Sequence, residues 1–161
     1  MKILIVGGVG VIGGDAALYF RGKGHDVTIA GRNAPTADSP LAGFPFVRID
    51  YVANDTPASV LGQFEALVFC AGNDVRHQPR DSDDSYWEQA NSVAIPRFFA
   101  SAKAAGVKVA INVGSYYPQA APDLLKDYAY IRSRLASDKG VTALSDDNFR
   151  AMSVKIGRAH V

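Results

Sequence analysis

The chain begins with a short apolar run, Lys2-Ile3-Leu4-Ile5-Val6. The run breaks into Gly7-Gly8-Val9-Gly10-Val11-Ile12-Gly13-Gly14, after which Asp15 to Gly22 reads as helix. A buried strand that turns on glycines into a helix leaves few architectures open. Where no Cβ intervenes, backbone amides can approach a bound pyrophosphate, and the following helix offers unpaired N–H groups and a partial positive charge. The spacing meets the dinucleotide-binding fingerprint twice, as G-x-G-x-x-G on Gly8, Gly10 and Gly13 and as G-x-x-G-x-x-G on Gly7, Gly10 and Gly13. Glycine triplets alone are weakly specific; the placement between an apolar strand and a helix makes this one informative. Gly7, Gly10, Val11, Ile12 and Gly13 are the first cofactor-binding candidates.

The pattern continues along the chain. Apolar runs at Lys2 to Val6, Asp26 to Ala30, Phe46 to Ile49, Ala66 to Cys70, Val107 to Val113 and Arg150 to Val154 read as strands. Helical patterns lie between most of them, at Gly13 to Gly22, Ser82 to Ala105 and Leu124 to Lys139, with a shorter one at Pro57 to Gln63. Alternating strands and helices require right-handed crossovers and hence a parallel sheet, so the fold class is doubly wound α/β, a Rossmann fold. Linkers fall at Asn33 to Pro45 and Gly72 to Asp81, and Pro96 should bend the longest helix or start a new one.

The 161 residues, 48 % of them hydrophobic, suffice for one domain and its core. A net charge of +1, with an acidic run at Asp81, Asp83 and Asp84, gives no basic surplus for nucleic acid. No apolar run approaches the roughly eighteen residues of a membrane span, and the first strand is too short for a signal peptide, so a cytoplasmic protein is expected. The lone Cys70 forms no internal disulfide. At the other end, Lys155-Ile156-Gly157-Arg158-Ala159-His160-Val161 back-translates as AAG ATC GGA AGA GCA CAC GTC, which resembles a widely used sequencing adapter. The expectation is a cofactor-binding domain over 1–154, an assembly artefact over 155–161, and a gene product that continues.

Ligands of open parallel sheets bind beyond the C-terminal strand ends, which here adds Ala71 and Gly72 to the cofactor-binding candidates. An NAD-preferring site places an acid about twenty residues beyond the glycines to hold the ribose 2′-hydroxyl. Here the second strand ends in Ala30-Gly31-Arg32-Asn33, with no carboxylate between Asp26 and Asp38. Arg32 is placed to meet a 2′-phosphate, where a guanidinium offers charge and paired donors. NADP is the expected cofactor and NAD the alternative. Asp50, after the third strand, could accept from the adenine amino group or simply end a strand. Cys70 has no natural base, since His25 precedes the second strand and His77 sits in a loop, so a buried structural cysteine is expected. The three histidines are too scattered for a metal site. Tyr86, Trp87, Phe98 and Phe99 look like helix-face packing.

Several elements recur in one family's order: Gly7-x-x-Gly10-x-x-Gly13, Cys70-Ala71-Gly72 ending the fourth strand, and Asn91 in the long helix. Val113-Gly114-Ser115 then ends the fifth strand and Tyr130-x-x-x-Arg134-x-x-x-Asp138 follows. On these the chain resembles the short-chain dehydrogenase/reductase superfamily, in its extended branch of nucleoside-sugar epimerases and dehydratases and its atypical relatives. The resemblance implies that Ser115 holds the substrate oxygen and that Tyr130 transfers a proton as hydride moves to or from the nicotinamide. It places Asn91 beside them in the catalytic set. The family's lysine, four residues after the tyrosine, is here Arg134. A phenol with pKa near 10 needs such a cation to serve as base at neutral pH, and arginine keeps the charge with a different shape. Tyr128 with Arg132 offers a second Tyr-x-x-x-Arg register.

The function expected on this basis is NADP-dependent oxidoreduction, epimerisation or dehydration at a carbonyl or hydroxyl of a small molecule, a nucleotide sugar among the candidates. The 161-residue piece itself is expected to be inactive, lacking the substrate region. The rival is a non-catalytic NADP-binding sensor or scaffold. The partner expected is a small-molecule substrate, with neither nucleic acid nor membrane, and a homodimer is a candidate assembly.

Overall fold

The computed structural model describes residues 1–73 and 78–157; His77, His160 and the tip of the Gly72 to Asp81 linker lie outside the described residues. Six strands form one sheet, β1 (Lys2–Val6), β2 (Asp26–Gly31), β3 (Phe46–Arg48), β4 (Ala66–Phe69), β5 (Val109–Ser115) and β6 (Arg150–Ile156). Their order is β3-β2-β1-β4-β5-β6, with every neighbouring pair parallel. Consecutive numbering fails only between β1 and β4. The direction in which successive strands are laid across the sheet reverses there, and that switch point is where open α/β sheets bind ligands. β1 begins at the lysine and spends its four apolar residues in the interior, as a strand covered on both faces must.

Alternation along the strands divides the core in two. Leu4, Val6, Leu67, Phe69 and Ala110 face the helices α4 (Ile95–Ala104) and α6 (Ala129–Thr142), packing with Ile95, Phe98, Phe99, Ala102 and Val141. Ile3, Ile5, Val27, Ile29 and Val68 face α1 (Val11–Gly22), through Ala17, and the connecting loop, through Leu41 and Phe44. Burying one such side chain contributes about 1.5–3 kcal/mol, and both faces of the central strands carry such a cluster. Cover thins toward β6, where Met152, Val154 and Ile156 remain 45 %, 48 % and 37 % exposed. No described helix is long and apolar enough to cross a membrane.

Boundaries moved where proline and tertiary pairing intervened. The long helix is three segments in line: α3 (Ser85–Trp87), a π-helical stretch over Glu88–Ala94, and α4, which starts at Ile95 with Pro96 in its first turn. A proline has no N–H to return to the preceding turn, so a change of helical pitch just before it is the expected accommodation. The Leu124 to Lys139 pattern resolves into a 3-10 turn at Pro122–Leu125 and α6. β6 runs two residues past Val154, because Lys155 and Ile156 continue the ladder opposite Gly114 and Ser115. The remaining helices, α2 (Ala58–Leu61) and α5 (Tyr117–Ala120), are single turns.

Candidate functional site

The glycine turn is made almost entirely of backbone. Gly7 leaves β1 at φ +79°, a conformation that side chains resist, and donates its N–H to the Ala30 carbonyl at 2.8 Å. A Cβ on Gly7 would stand 2.7 Å from the Ala71 nitrogen, so turn and β4 exit are in direct contact. A Cβ on Gly13 would stand 2.7 Å from the Gly7 carbonyl carbon, which lets α1 press onto the strand end. Gly10 differs: its hypothetical Cβ meets only the Gly7 carbonyl oxygen, at 3.3 Å, and opens otherwise onto free space. Gly10 caps α1 without any side-chain hydrogen bond, leaving first-turn N–H groups for an external acceptor. Val11 and Ile12 are 83 % and 45 % exposed beside it. This open backbone cradle fits a dinucleotide pyrophosphate.

Arg32 stands exposed just past the end of β2. Asp50 follows β3, half-buried, but its Oδ1 already accepts the backbone N–H groups of Val52 and Ala53 at 3.1 and 3.4 Å. The carboxylate thus shapes the turn behind it. Tyr51, next in the chain, is buried edge-on against Phe69 at 5.1 Å between ring centroids. Burial pushes its phenol up to about 12, with Arg134 and then Arg32 pulling the other way.

Beyond the β4 and β5 ends opens a cleft of about 490 Å³. It brings together Ile12 from the glycine turn, Ala71 and Gly72 after β4, Ser115 at the end of β5, and Tyr130 and Arg134 from α6. The Ser115 Oγ accepts the N–H of Tyr117 at 3.3 Å, which holds the hydroxyl at the strand end. Tyr130, in the first turn of α6, meets the Trp87 ring edge-on at 5.2 Å. Arg134 is only 7 % exposed; its Nη2 donates to the Val113 carbonyl at 2.6 Å, where β5 has outrun β4. A Cβ on Gly72 would stand 2.8 Å from Arg134 Nη1, so a glycine there leaves room for the guanidinium. The other register points away: Tyr128 is 55 % exposed, and Arg132 bonds the Leu125 and Lys126 carbonyls and Asp84.

Against this geometry, the model of the NAD dependent epimerase/dehydratase family matches residues 3–159. The chain belongs to that family. As an epimerase/dehydratase-family chain it is 28% identical over 155 residues to UDP-glucose 4-epimerase of Corynebacterium glutamicum, covering 91% of this chain and 45% of that protein. It is 30% identical over 131 residues to D-xylose 1-dehydrogenase of Caulobacter vibrioides, covering 71% of this chain and 53% of that one. The chain thus spans about half the length of these relatives. In fold it is similar to MoeE5 in complex with UDP-glucuronic acid and NAD, at TM-score 0.74 and 17% identity over 96% of this chain and 54% of that one. WbmG of Bordetella bronchiseptica, in complex with NAD and UDP, gives TM-score 0.68 and 21% identity over 96% and 52%.

Two family-expected side chains are placed otherwise than in the cleft. Asn91 is fully buried in the π-helical stretch, where its amide bonds the Asn73 backbone and the Ser133 hydroxyl. Its hydrogen-bonding groups are spent inside the protein, and it does not line the cleft. Asp138 is 9 % exposed and pairs with Lys155 of β6. Cys70 is half-buried and lines the cleft; burial pushes its thiol up to about 11, so it is protonated at neutral pH and no nucleophile. Asn73, Tyr117 and Ser133 border or support the site without having been singled out from the sequence. Asn73 gives its main chain to Asn91 and its side-chain amide to the Tyr86 carbonyl, at 3.1 Å.

Proposed function

We propose that the chain is the cofactor-binding domain of an NADP-dependent enzyme. The enzyme moves hydride between the nicotinamide and a carbonyl or hydroxyl carbon of a nucleotide-sugar-like substrate. The observation that carries this reading is the single cleft shared by Ser115, Tyr130 and Arg134 with Ile12 of the glycine turn. The dinucleotide, when bound, supplies the hydride donor and acceptor. Gly7, Gly10 and Gly13 with the first amides of α1 would hold its pyrophosphate, and Arg32 would meet a 2′-phosphate, which an acid in that place would repel. Family membership and relatives bearing the names UDP-glucose 4-epimerase and D-xylose 1-dehydrogenase support a sugar at the other end.

In this reading Ser115 donates to the reacting substrate oxygen, since its Oγ is already held by the Tyr117 amide. Tyr130 gives or takes the proton, and Arg134 keeps a fixed positive charge on the same cleft wall, favouring the phenolate. A second reading, a dinucleotide sensor without chemistry, is favoured by Arg134 itself: one arm of its guanidinium is committed to the Val113 carbonyl. Titrating NADPH and NADH against this chain, then assaying the full gene product with UDP-glucose, separates them. Tighter NADPH binding and dinucleotide-dependent turnover are expected. Binding without turnover of UDP-glucose or D-xylose moves the assignment to the sensor, and no binding of either dinucleotide removes both.

A further inference from the structure

Three polar groups behind the cleft form one buried line. The Asn91 Oδ1 accepts the Asn73 N–H at 3.1 Å, and its Nδ2 donates to the Asn73 carbonyl at 3.1 Å, so one side chain grips both faces of one residue's backbone. The same Nδ2 donates to the Ser133 Oγ at 3.1 Å, and the Ser133 hydroxyl donates to the Tyr130 carbonyl at 2.8 Å. Asn91 and Ser133 are 0 % and 3 % exposed, so the bond between them is shielded from water, while those to the Asn73 backbone and the Tyr130 carbonyl are part-buried. Asn91 sits in the middle of the π-helical stretch, a local geometry that re-aims side chains and recurs at functional sites. Trp87 immediately precedes that stretch, 4 % exposed and edge-on to Tyr130.

We infer that Asn91 and Ser133 relay the position of the Asn73 backbone to Tyr130, so that a dinucleotide seated against Gly72 and Asn73 shifts the Tyr130–Trp87 ring pair. The inference rests on the cofactor-site reading and adds Ser133 as a positioning residue that touches neither cofactor nor substrate. Any displacement of Asn73 must be followed by the Asn91 amide, which is bonded to both its N–H and its carbonyl. The amide's remaining contact is Ser133, and the Ser133 hydroxyl ends on the backbone of Tyr130 itself. A ligand at Asn73 is thus joined to the Tyr130 backbone through two side chains, beside the cleft wall that Tyr130 itself forms and the bond from Asn73 Nδ2 to the Tyr86 carbonyl at 3.1 Å.

Trp87 is the sole tryptophan, so its emission reports on this ring pair without any assay of turnover. Oxidised NADP and, separately, NAD are titrated into the chain while calorimetry records binding. The expected result is a saturable change in Trp87 emission that tracks the calorimetric curve. Ser133→Ala should keep dinucleotide affinity within about twofold and lose most of the emission change. Ser133→Cys, a near-isostere with weak hydrogen bonding, should act in the same direction and serves if the alanine variant does not fold. Binding heat with no Trp87 response in the wild type, or an undiminished response in the Ser133 variants, overturns the relay and leaves the cofactor site standing. Absence of binding heat with both dinucleotides overturns the cofactor site and the relay with it.

Discussion

The glycine turn and the Ser115–Tyr130–Arg134 end of the cleft stand on one rim, yet they are built by opposite means. At the turn the groups on offer are backbone N–H atoms, and the side chains matter by being absent: Gly7 and Gly13 permit contact between main chains, while a Cβ on Gly10 would meet only the Gly7 carbonyl oxygen, at 3.3 Å. At the other end the working groups are side chains from two separate elements. Two are fixed by a bond to main chain, Ser115 Oγ by the Tyr117 amide and Arg134 by the Val113 carbonyl, and Tyr130 packs against the Trp87 ring. A site made of backbone tolerates no added atoms, whereas a site made of side chains tolerates substitutions that preserve geometry and charge. Its failures are chemical before they are structural.

The largest effects should therefore come from the turn, and of two kinds. Gly13→Val sets a branched side chain against the Gly7 carbonyl and should lower stability by about 1–3 kcal/mol or more, read as an early thermal transition by circular dichroism. Gly10→Val should leave the melting curve nearly unchanged and abolish dinucleotide binding. If both variants bind and melt alike, the distinction between packing glycine and ligand-facing glycine is broken.

At the side-chain end, Tyr130→Phe in the full gene product should reduce turnover by roughly 10² while dinucleotide affinity barely moves, the size expected for losing a positioned acid or base. Tyr128→Phe, on an exposed side chain, should change nothing. The reverse result would shift the catalytic register by one pair. Arg134→Lys keeps the charge but surrenders the planar donor to the Val113 carbonyl, so its turnover relative to wild type weighs cation against stitch.

Smaller is the contribution of Arg32, exposed and therefore solvated. Arg32→Ala should weaken NADPH about tenfold and leave NADH alone, since a charge-assisted hydrogen bond contributes about 1.5–3 kcal/mol. Equal losses for both dinucleotides would assign it to the shared pyrophosphate. The smallest signal is titration of Cys70. Its folded pKa, about 11, lies above the ordinary 9.0, so the preference for the neutral thiol favours the fold fully below pH 9 and fades as pH rises through about 11. Alkylation by iodoacetamide should stay slow at neutral pH and climb toward pH 11; a plateau by pH 8 would contradict a desolvated thiol.

The parallel doubly wound sheet and the glycine turn were legible in the residues because their causes are local: apolar runs, glycine spacing and one crossover hand; the order β3-β2-β1-β4-β5-β6 came from the structure. Segments within α3 to α4 were less so, since a single pattern over Ser82 to Ala105 does not announce that Glu88–Ala94 changes pitch. Of the expected site, Ser115, Tyr130 and Arg134 meet in one cleft with Ile12, Ala71 and Gly72. Gly7, Gly10, Gly13, Arg32 and Asp50 lie on the strand ends leading to it, and Asn91 stands behind it. Asp50 illustrates the limit: its position after β3 follows from sequence, its use in the 50–53 turn does not.

By itself, the sequence determined the parallel doubly wound sheet, the glycine turn, and which residue types sit at the strand ends. These depend on chain-local geometry and on the one-dimensional periodicity of burial. Only the tertiary structure put Tyr130 and Arg134 rather than Tyr128 and Arg132 on the cleft wall, tied Arg134 to β5, and joined Asn73, Asn91 and Ser133 behind Tyr130. Apart from the Ser133–Tyr130 bond, three positions apart within α6, those hydrogen bonds join residues 18 to 42 positions apart, whose partners are set by how helices seat on the sheet, and seating is a property of the packed molecule.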